Sequence, residues 1–292
     1  MFGRFFVDSF LFSFVFSIFF CILCSLVDNM FGFWIFLELC GLSIIPSFFY
    51  SIDVSIYGVY SSILSYVVMS SLSSVFMVSG ILFSSLYYYI FWGFVVKFGL
   101  FPFSFWVYRV FSCSNWLFIF LLSVVMKFPV LFFCFLYQTM VNLYIVYVDC
   151  FFTILMCSFF IWFLSISWEY IWCHISLSSI STLVVACFCS DVVLCFVIYL
   201  YYFIWGTCCI IYFNSMNDCN DLKSNFWYFC FLLLVTPISF PVIYKFGVCI
   251  AIISSSVYLL LVWCIYSFSE QFFLYKLASD YFYSDVCNSW LS

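Results

Sequence analysis

The stretch KFGLFPFSFWV (97–107) places Lys97 within a run of apolar side chains. Lys127 and Lys245 lie in comparable runs, and Glu38 lies in a fourth. A charged side chain at the centre of a membrane helix costs roughly 2.5–3.5 kcal/mol on insertion scales. Because proteins keep such costly groups mainly where ions or protons move, these four side chains form a candidate proton pathway.

Composition places the chain in a membrane. Hydrophobic residues make up 69% of the 292 residues, charged residues only 7%, and the mean hydropathy is +1.29. A soluble domain carries about 25% charged residues because its surface faces water. The sequence therefore predicts an all-α integral membrane protein that contacts the lipid bilayer and has no nucleic-acid partner. The N-terminus lacks the features of a transit or signal peptide, so we expect the first helix to remain in the mature protein.

Apolar runs of about 20 residues predict membrane-spanning helices. We expect about ten such helices in a single transmembrane domain over 1–276, followed by a short interfacial tail over 277–292. The ten runs cover 5–27, 31–51, 55–83, 87–108, 116–138, 141–164, 170–189, 192–213, 226–251 and 253–276.

The basic residues outside membrane depth fall on one side of this arrangement. With ten helices, Arg4, Arg109, Lys223 and Lys276 all share the side of the N-terminus. This distribution is the one that the positive-inside rule describes. The sequence therefore predicts both termini on the positive side, which in a mitochondrion is the matrix.

Prolines accompany each of the three buried lysines. A proline lacks an N–H and frees the carbonyl four residues earlier, and free carbonyls at membrane depth are tolerated where they face protein or water. We therefore predict helix breaks that give the lysines polar neighbours; the alternative is that these prolines are ordinary kinks. The four prolines are Pro102, Pro129, Pro237 and Pro241.

The cysteines and the histidine restrict the cofactors that the chain could bind. Most of the 18 cysteines lie singly in apolar runs, where they behave as small hydrophobic residues, and no spacing typical of a metal site occurs. One histidine, His174, cannot supply the several axial ligands of a haem subunit. It either extends the proton path or is packed at a helix end. Asp149 and Asp191 lie near predicted helix ends, where we expect them at the membrane interface.

The four buried charges could exchange protons or only fix helix packing. Burial disfavours the charged form of a lysine, and a nearby carboxylate favours it. A lysine whose carboxylate partner approaches and retreats can therefore gain and release a proton. The alternative is a static ion pair, which proteins also retain. One glutamate and three lysines on four helices favour the proton pathway.

Five segments resemble, in order, the motifs of a known family. The stretch 97–107 is similar to KLGLAPFHFWVPEV, and FLELCGLSIIP (36–46) is similar to LELN-L-IP, which carries an essential glutamate. MKFP (126–129), HISLSSI (174–180) and residues 237–246 resemble WQKIAP, KI-AYSSI and PPLSGF-PKW. These motifs belong to chain 2 of mitochondrial NADH–ubiquinone oxidoreductase, an antiporter-like subunit in the membrane arm of respiratory complex I.

The chain departs from this family at several positions. The resemblance implies that the fold is truncated, because the family's last helix is missing after Lys245. His174 stands where a lysine is usual, which puts that link of a proton relay in doubt. The other departures are Ser104 for a histidine, Tyr108 and Arg109 for Pro-Glu, Ile238 for a proline and Pro241 for a glycine.

The resemblance implies a proton-translocating subunit of NADH:ubiquinone reductase that has no redox centre or catalytic residue of its own. Glu38 would pair with Lys97, Lys127 would relay the proton, Lys245 would deliver it to the opposite side, and His174 would bridge the last two. NADH, FMN, iron–sulfur clusters and ubiquinone would be handled by other subunits. The chain would be mitochondrially encoded and would lie in the inner membrane beside other membrane-arm subunits, not as a free monomer.

Three other functions are consistent with the same residues. The chain could be another antiporter-like subunit of the same complex, since such subunits share the glutamate–lysine arrangement. It could be an independent cation/proton exchanger, which would function alone. It could also be a structural subunit whose charges only hold helices together. Substitution of Lys97 or Glu38 that leaves proton pumping intact would support this last function.

Overall fold

The computed structural model of the protein describes residues 2–49, 56–137, 143–218 and 226–282. Within these ranges the chain forms helices and short turns, with no strand. The α-helices are α1 Phe2–Ser25, α2 Met30–Ile44, α3 Ile56–Leu82, α4 Tyr88–Phe98, α5 Phe105–Phe111, α6 Trp116–Ser123, α7 Phe128–Tyr137, α8 Leu143–Phe163, α9 Trp168–Cys189, α10 Val192–Asp218, α11 Phe226–Leu233, α12 Phe240–Ile253 and α13 Val257–Phe282.

All ten apolar runs form helices over most of their described residues. Eight of them are long and apolar enough to cross a membrane, counting α6 and α7 as one span, Trp116–Tyr137. The other two, 87–108 and 226–251, are each divided into two shorter helices, with interruptions over 99–104 and 234–239. The expected fold class, all-α and polytopic with broken helices, is confirmed.

Two expected boundary segments are partly helical. The helix α13 continues to Phe282, so the first residues of the expected tail over 277–292 extend that helix. The helix α10 continues to Asp218, so it extends past the end of the expected run 192–213. Residues 219–225 and 283–292 lie outside the described residues.

Helix α9 forms the centre of the bundle. Every residue from Ile171 to Phe188 is buried, and α5, α7, α8, α10 and α12 pack around this helix. Its buried face carries serine and threonine side chains, whose small size lets neighbouring helices approach closely. Each of these hydroxyls donates to a carbonyl of its own helix three residues earlier; they belong to Ser176, Ser178, Ser179, Ser181 and Thr182.

The interruption after α4 begins at Gly99. This residue has φ +68°, a left-handed conformation that glycine adopts without steric cost. The N–H of Leu100 donates to the carbonyl of Val95 at 3.0 Å, and Trp106 Nε1 donates to the carbonyl of Val96 at 3.1 Å. The end of α4 is therefore closed by hydrogen bonds, and the chain turns before α5 begins.

Replacing Gly99 with alanine should destabilise this turn. A Cβ there would clash with Val107 Cγ2, and the left-handed backbone costs a residue with a Cβ roughly 1–2 kcal/mol. We expect less protein in the membrane and a lower melting temperature of its assembly. Gly247→Ala is the matched control, because its nearest contact, with Ile198 Cγ1, is an ordinary 3.5 Å. Equal melting temperatures for the two variants would contradict this account.

Contacts at the helix ends place Arg109 and Lys276 at the same end of the bundle. Arg109, at the end of α5, donates to Ser61 Oγ near the start of α3 at 2.7 Å. Its neighbour Tyr108 packs against Phe160, near the end of α8. Lys276 lines a surface pocket with the loop that follows α8. The ten-helix arrangement requires Arg109 and Lys276 to lie at the same end of the bundle. The other two basic residues of that argument cannot be compared, because Lys223 and the side chain of Arg4 lie outside the described residues.

Candidate functional site

Glu38 and Lys97 form an ion pair between α2 and α4. Lys97 Nζ lies 2.6 Å from Glu38 Oε1, and the two side chains are 4% and 19% exposed. Ser70 of α3 also donates to Glu38 Oε2, at 3.5 Å. A small residue faces the pair, since a Cβ on Gly41 would lie 3.6 Å from Lys97 Nζ. The first two members of the predicted pathway therefore contact each other directly.

Lys127 is buried and has only neutral partners. Its ammonium group donates to the carbonyl of Ser176 at 3.0 Å and to the hydroxyl of Ser179, both in α9. It also lies 3.8 Å from the centre of the Tyr202 ring, within range of a cation–π interaction. No carboxylate among the described residues is within 4.0 Å of it. Lys127 thus differs from Lys97, whose charge is paired.

The break that holds Lys127 is stabilised by side chains from α10. A 3₁₀ turn over Val125–Lys127 separates α6 from α7, and Pro129 lies in the first turn of α7. Carbonyls that this break frees accept hydrogen bonds from tyrosine hydroxyls. Tyr202 donates to the carbonyl of Ser123 at 3.3 Å, and Tyr199 donates to that of Val124 at 3.4 Å. The lysine therefore lies beside polar backbone.

Lys245 pairs with a carboxylate that the sequence analysis did not single out. Lys245 Nζ lies 3.2 Å from Glu270 Oε1 of α13 and 3.5 Å from the carbonyl of Ser267. Glu270 is 3% exposed. It lies inside the apolar run 253–276, so the criterion that selected Glu38 also selects Glu270.

The break between α11 and α12 is held by side chains from other helices. Pro237 lies within the interruption over 234–239, and Pro241 lies in the first turn of α12. Three freed carbonyls accept hydrogen bonds: Leu232 from Trp205 Nε1 at 2.7 Å, Leu233 from Gln271 Nε2 at 3.3 Å, and Val235 from the Tyr275 hydroxyl at 3.2 Å. This break is therefore an ordered part of the fold.

A small cavity lies between Lys245 and Ser179, which accepts a hydrogen bond from Lys127. Its volume is about 10 Å³, which is room for about one water molecule. Lys245 and Glu270 line it, and the hydroxyl of Tyr266, also at this cavity, has no hydrogen-bond partner in the described structure. Lys127 does not line the cavity itself and reaches it only through Ser179.

The segments that carry Glu38 and Lys127 meet through sulfur atoms. Cys40 Sγ of α2 lies 3.1 Å from Met126 Sδ and 3.2 Å from Cys21 Sγ of α1. These atoms are weak hydrogen-bonding groups. The structure therefore links Lys127 through Ser179 to the cavity that Lys245 lines, but it places weakly polar side chains between the first pair and Lys127.

His174 has a different partner from the other predicted site residues. It is fully buried, its Nδ1 lies 2.9 Å from the Tyr108 hydroxyl, and its Nε2 has no hydrogen-bond partner in the described structure. It does not line the cavity between Lys127 and Lys245. Tyr108 and His174 are both departures from the family motifs, and the structure shows that they contact each other.

Asp149 lies near the start of α8, as expected, but is enclosed by protein. It is 6% exposed, lies in the second turn of α8, and its Oδ2 has no hydrogen-bond partner in the part of the chain that is described. One face of α8 packs into the bundle at this turn, whereas Leu143 and Tyr144 in the first turn are exposed. Asp191 is exposed between α9 and α10.

Metal-ligating side chains do not cluster in the described ranges. No group of three or more histidine, cysteine, aspartate or glutamate side chains there could hold a metal ion. The described cysteines are free thiols, most of them buried in the apolar core. The polar groups of the candidate site are therefore lysine ammonium, carboxylate, hydroxyl and imidazole groups.

The comparisons with known proteins agree on the fold. No family profile and no curated protein matches this sequence. A chain of respiratory complex I from Thermus thermophilus, solved with bound aureothin, matches with a TM-score of 0.77 and 12% identity over 94% of this chain and 70% of that chain. A chain of the Mrp complex from Dietzia sp. DQ12-45-1b matches with a TM-score of 0.73 and 11% identity over 94% and 66%.

The chain is a multi-pass membrane protein. Its fold is similar to that of chains in two multi-subunit membrane complexes, and eight helical segments in its described residues are long and apolar enough to cross a bilayer. At 11–12% identity the likeness shows the fold alone. Any shared activity must therefore be argued from the residues of this chain.

Proposed function

We propose that this chain is a proton-translocating membrane subunit of respiratory complex I, chain 2 of mitochondrial NADH–ubiquinone oxidoreductase. The observation that carries the proposal is the series of three lysines beside helix breaks: Lys97 and Lys127 are buried, Lys245 is half-buried, and Lys97 and Lys245 are paired with carboxylates. Ionisable groups at membrane depth are rare and typically mark proton relays. The similar fold of a complex I chain supports the same assignment.

The relay begins at the Glu38–Lys97 pair. A change in the separation of these two side chains alters how strongly Lys97 holds its proton, because the carboxylate stabilises the ammonium form. Lys127 receives the proton from the direction of Lys97 and holds it with neutral partners. Since no carboxylate fixes its charge among the described residues, Lys127 can release the proton to the cavity beside Ser179.

The relay ends at Lys245, which takes up the proton from this cavity and delivers it to the opposite side of the membrane. We propose that the Tyr108–His174 pair bridges Lys127 and Lys245 indirectly, as a side branch of the relay. His174 lies in the same helix as Ser176 and Ser179, which contact Lys127. Oxidation of NADH and reduction of ubiquinone are assigned to other subunits, with their FMN and iron–sulfur clusters. The chain would lie in the mitochondrial inner membrane with both termini on the matrix side.

Cation/proton exchange is a second candidate function. The similar fold of a chain in the Mrp complex favours it, because the same fold occurs there in an assembly other than complex I. An independent exchanger would need no NADH-oxidising partner. The residues of this chain that would move protons are the same in both functions.

The two candidates differ in what purifies with the chain. We expect the chain, extracted from its native membranes with mild detergent, to migrate in a very large complex that oxidises NADH. The measurement is native electrophoresis with an in-gel NADH-oxidation stain and an antibody to this chain. A purified free chain that exchanges cations for protons in liposomes would support the exchanger, and absence from every NADH-oxidising complex would overturn the main proposal.

A further inference from the structure

Gln271 links the break between α11 and α12 to the buried carboxylate of Glu270. Its Oε1 accepts from the N–H of Val235 at 2.8 Å, inside the break. Its Nε2 donates to the carbonyl of Leu233 at 3.3 Å and to Glu270 Oε1 at 3.1 Å. One amide group therefore contacts both the interrupted backbone and the partner of Lys245.

The same cluster separates two spaces. The small cavity on the side of Lys127 is lined by Ser179, Lys245 and Glu270. On the other side, an open groove of about 650 Å³ between α12 and α13 is lined by Lys245, Gln271 and Val235. Lys245 borders both spaces, Glu270 borders the inner one and Gln271 the outer one. A proton that passes between the spaces at Lys245 passes beside Glu270 and Gln271; Trp263 and Ser267 also border both spaces.

We propose that Gln271 is a positioning residue that makes proton passage at Lys245 and Glu270 depend on the conformation of the α11–α12 break. The inference rests on the proposed function, since it assigns a gate to the relay described above. With Gln271 bound to the break, its N–H holds Glu270 Oε1 beside Lys245, and the inner cavity is closed from the groove.

Movement of the break opens this gate. Hydrogen bonds weaken steeply with distance and angle, so a shift of Val235 and Leu233 that carries Gln271 with it removes the amide donor from Glu270. The proton then moves from Lys245 Nζ to Glu270 Oε1, which leaves a neutral amine and a neutral carboxylic acid. The uncharged pair no longer attracts, and the carboxylic acid can turn towards the groove and give its proton to a water molecule that enters there. Glu270 is then again a carboxylate, and the ion pair forms anew when Lys245 takes up the next proton from the inner cavity.

The test compares two variants of the intact complex in native membranes or liposomes. Gln271→Met keeps the length of the side chain and removes all three hydrogen bonds. Tyr137→Phe is the matched control, because it removes one hydrogen bond from a hydroxyl to a backbone carbonyl, that of Tyr87, away from the break and from Glu270. For Gln271→Met we expect NADH oxidation to continue, fewer protons pumped per electron, and a passive proton leak raised roughly tenfold, the effect of losing one hydrogen bond to a charged group. Tyr137→Phe should keep the parent ratio and leak.

Each outcome decides the proposal. Parallel falls in NADH oxidation and pumping for Gln271→Met, with no rise in leak, would show a merely structural residue and overturn it. If Gln271→Met does not assemble, Glu270→Gln carries the test, since parent-like pumping by that variant also overturns the gate. Lys127→Met, measured in parallel, separates the two proposals. If Lys127→Met loses pumping while Gln271→Met pumps the parent number of protons per electron, the gate alone is rejected. If Lys127→Met pumps normally, the relay is rejected and the gate with it.

Discussion

Replacing Lys127 with methionine should abolish proton translocation while the complex still assembles. Methionine fills a similar volume, and the partners that lose the ammonium group, the carbonyl of Ser176 and the hydroxyl of Ser179, are neutral. Ser179 also donates to its own helix. Without the lysine a proton must cross an apolar gap, at a cost of roughly 2.5–3.5 kcal/mol, which corresponds to a roughly 100-fold slower transfer. Proton uptake and NADH oxidation by the complex in liposomes measure this effect.

Two further substitutions sharpen the Lys127 experiment. Lys276→Met removes an exposed lysine of α13, so we expect parent-like pumping from this control. Lys127→Arg keeps the positive charge, but a guanidinium group is not deprotonated in proteins. Lost pumping in Lys127→Arg would therefore show that release of the proton is required. Full pumping in both Lys127 variants would contradict the relay and support a structural role for the charge.

Breaking the Glu38–Lys97 pair should have the second largest effect. Removal of one partner from a buried pair costs about 3–5 kcal/mol, because the other charge is left uncompensated. We therefore expect Lys97→Met and Glu38→Gln each to lower the amount of assembled complex. The measurement is the abundance of the complex in membranes, together with its melting temperature.

The double variant separates stability from function at this site. Glu38→Gln combined with Lys97→Met leaves no unpaired charge, and replacing a buried pair with neutral groups is often neutral for stability. We expect assembly to recover in the double variant while pumping stays lost. Recovery of both would show that the pair only fixes α2 against α4.

The sequence predicted the elements of the fold because hydrophobicity and length alone determine them. Each apolar run became helical, and the interruptions over 99–104 and 234–239 lie where Pro102 and Pro237 remove backbone donors. The choice of partners could not be predicted in this way. Whether a lysine meets a carboxylate, as Lys97 does, or a serine, as Lys127 does, depends on the rotation of each helix about its axis.

The residues that the sequence analysis missed share one property. Glu270 and Tyr108 act on residues far away in the sequence, Lys245 and His174, so nothing in their own neighbourhood indicates the contact. The burial of Asp149 was missed because position along a helix was taken as depth in the membrane. The position of a residue along its helix does not determine which neighbouring helices bury its side chain.

The enclosure of α9 has a consequence for how the chain is made. The helices α10 and α12, which cover α9, follow it in the chain, so during synthesis α9 enters the bilayer before they can shield its serines and threonines. Because each of these hydroxyls is already bonded to a carbonyl of its own helix, the exposed face demands little from the surrounding lipid. A helix that is later sealed in the middle of the bundle can thus be inserted as an independent segment, and its neighbours close around it afterwards.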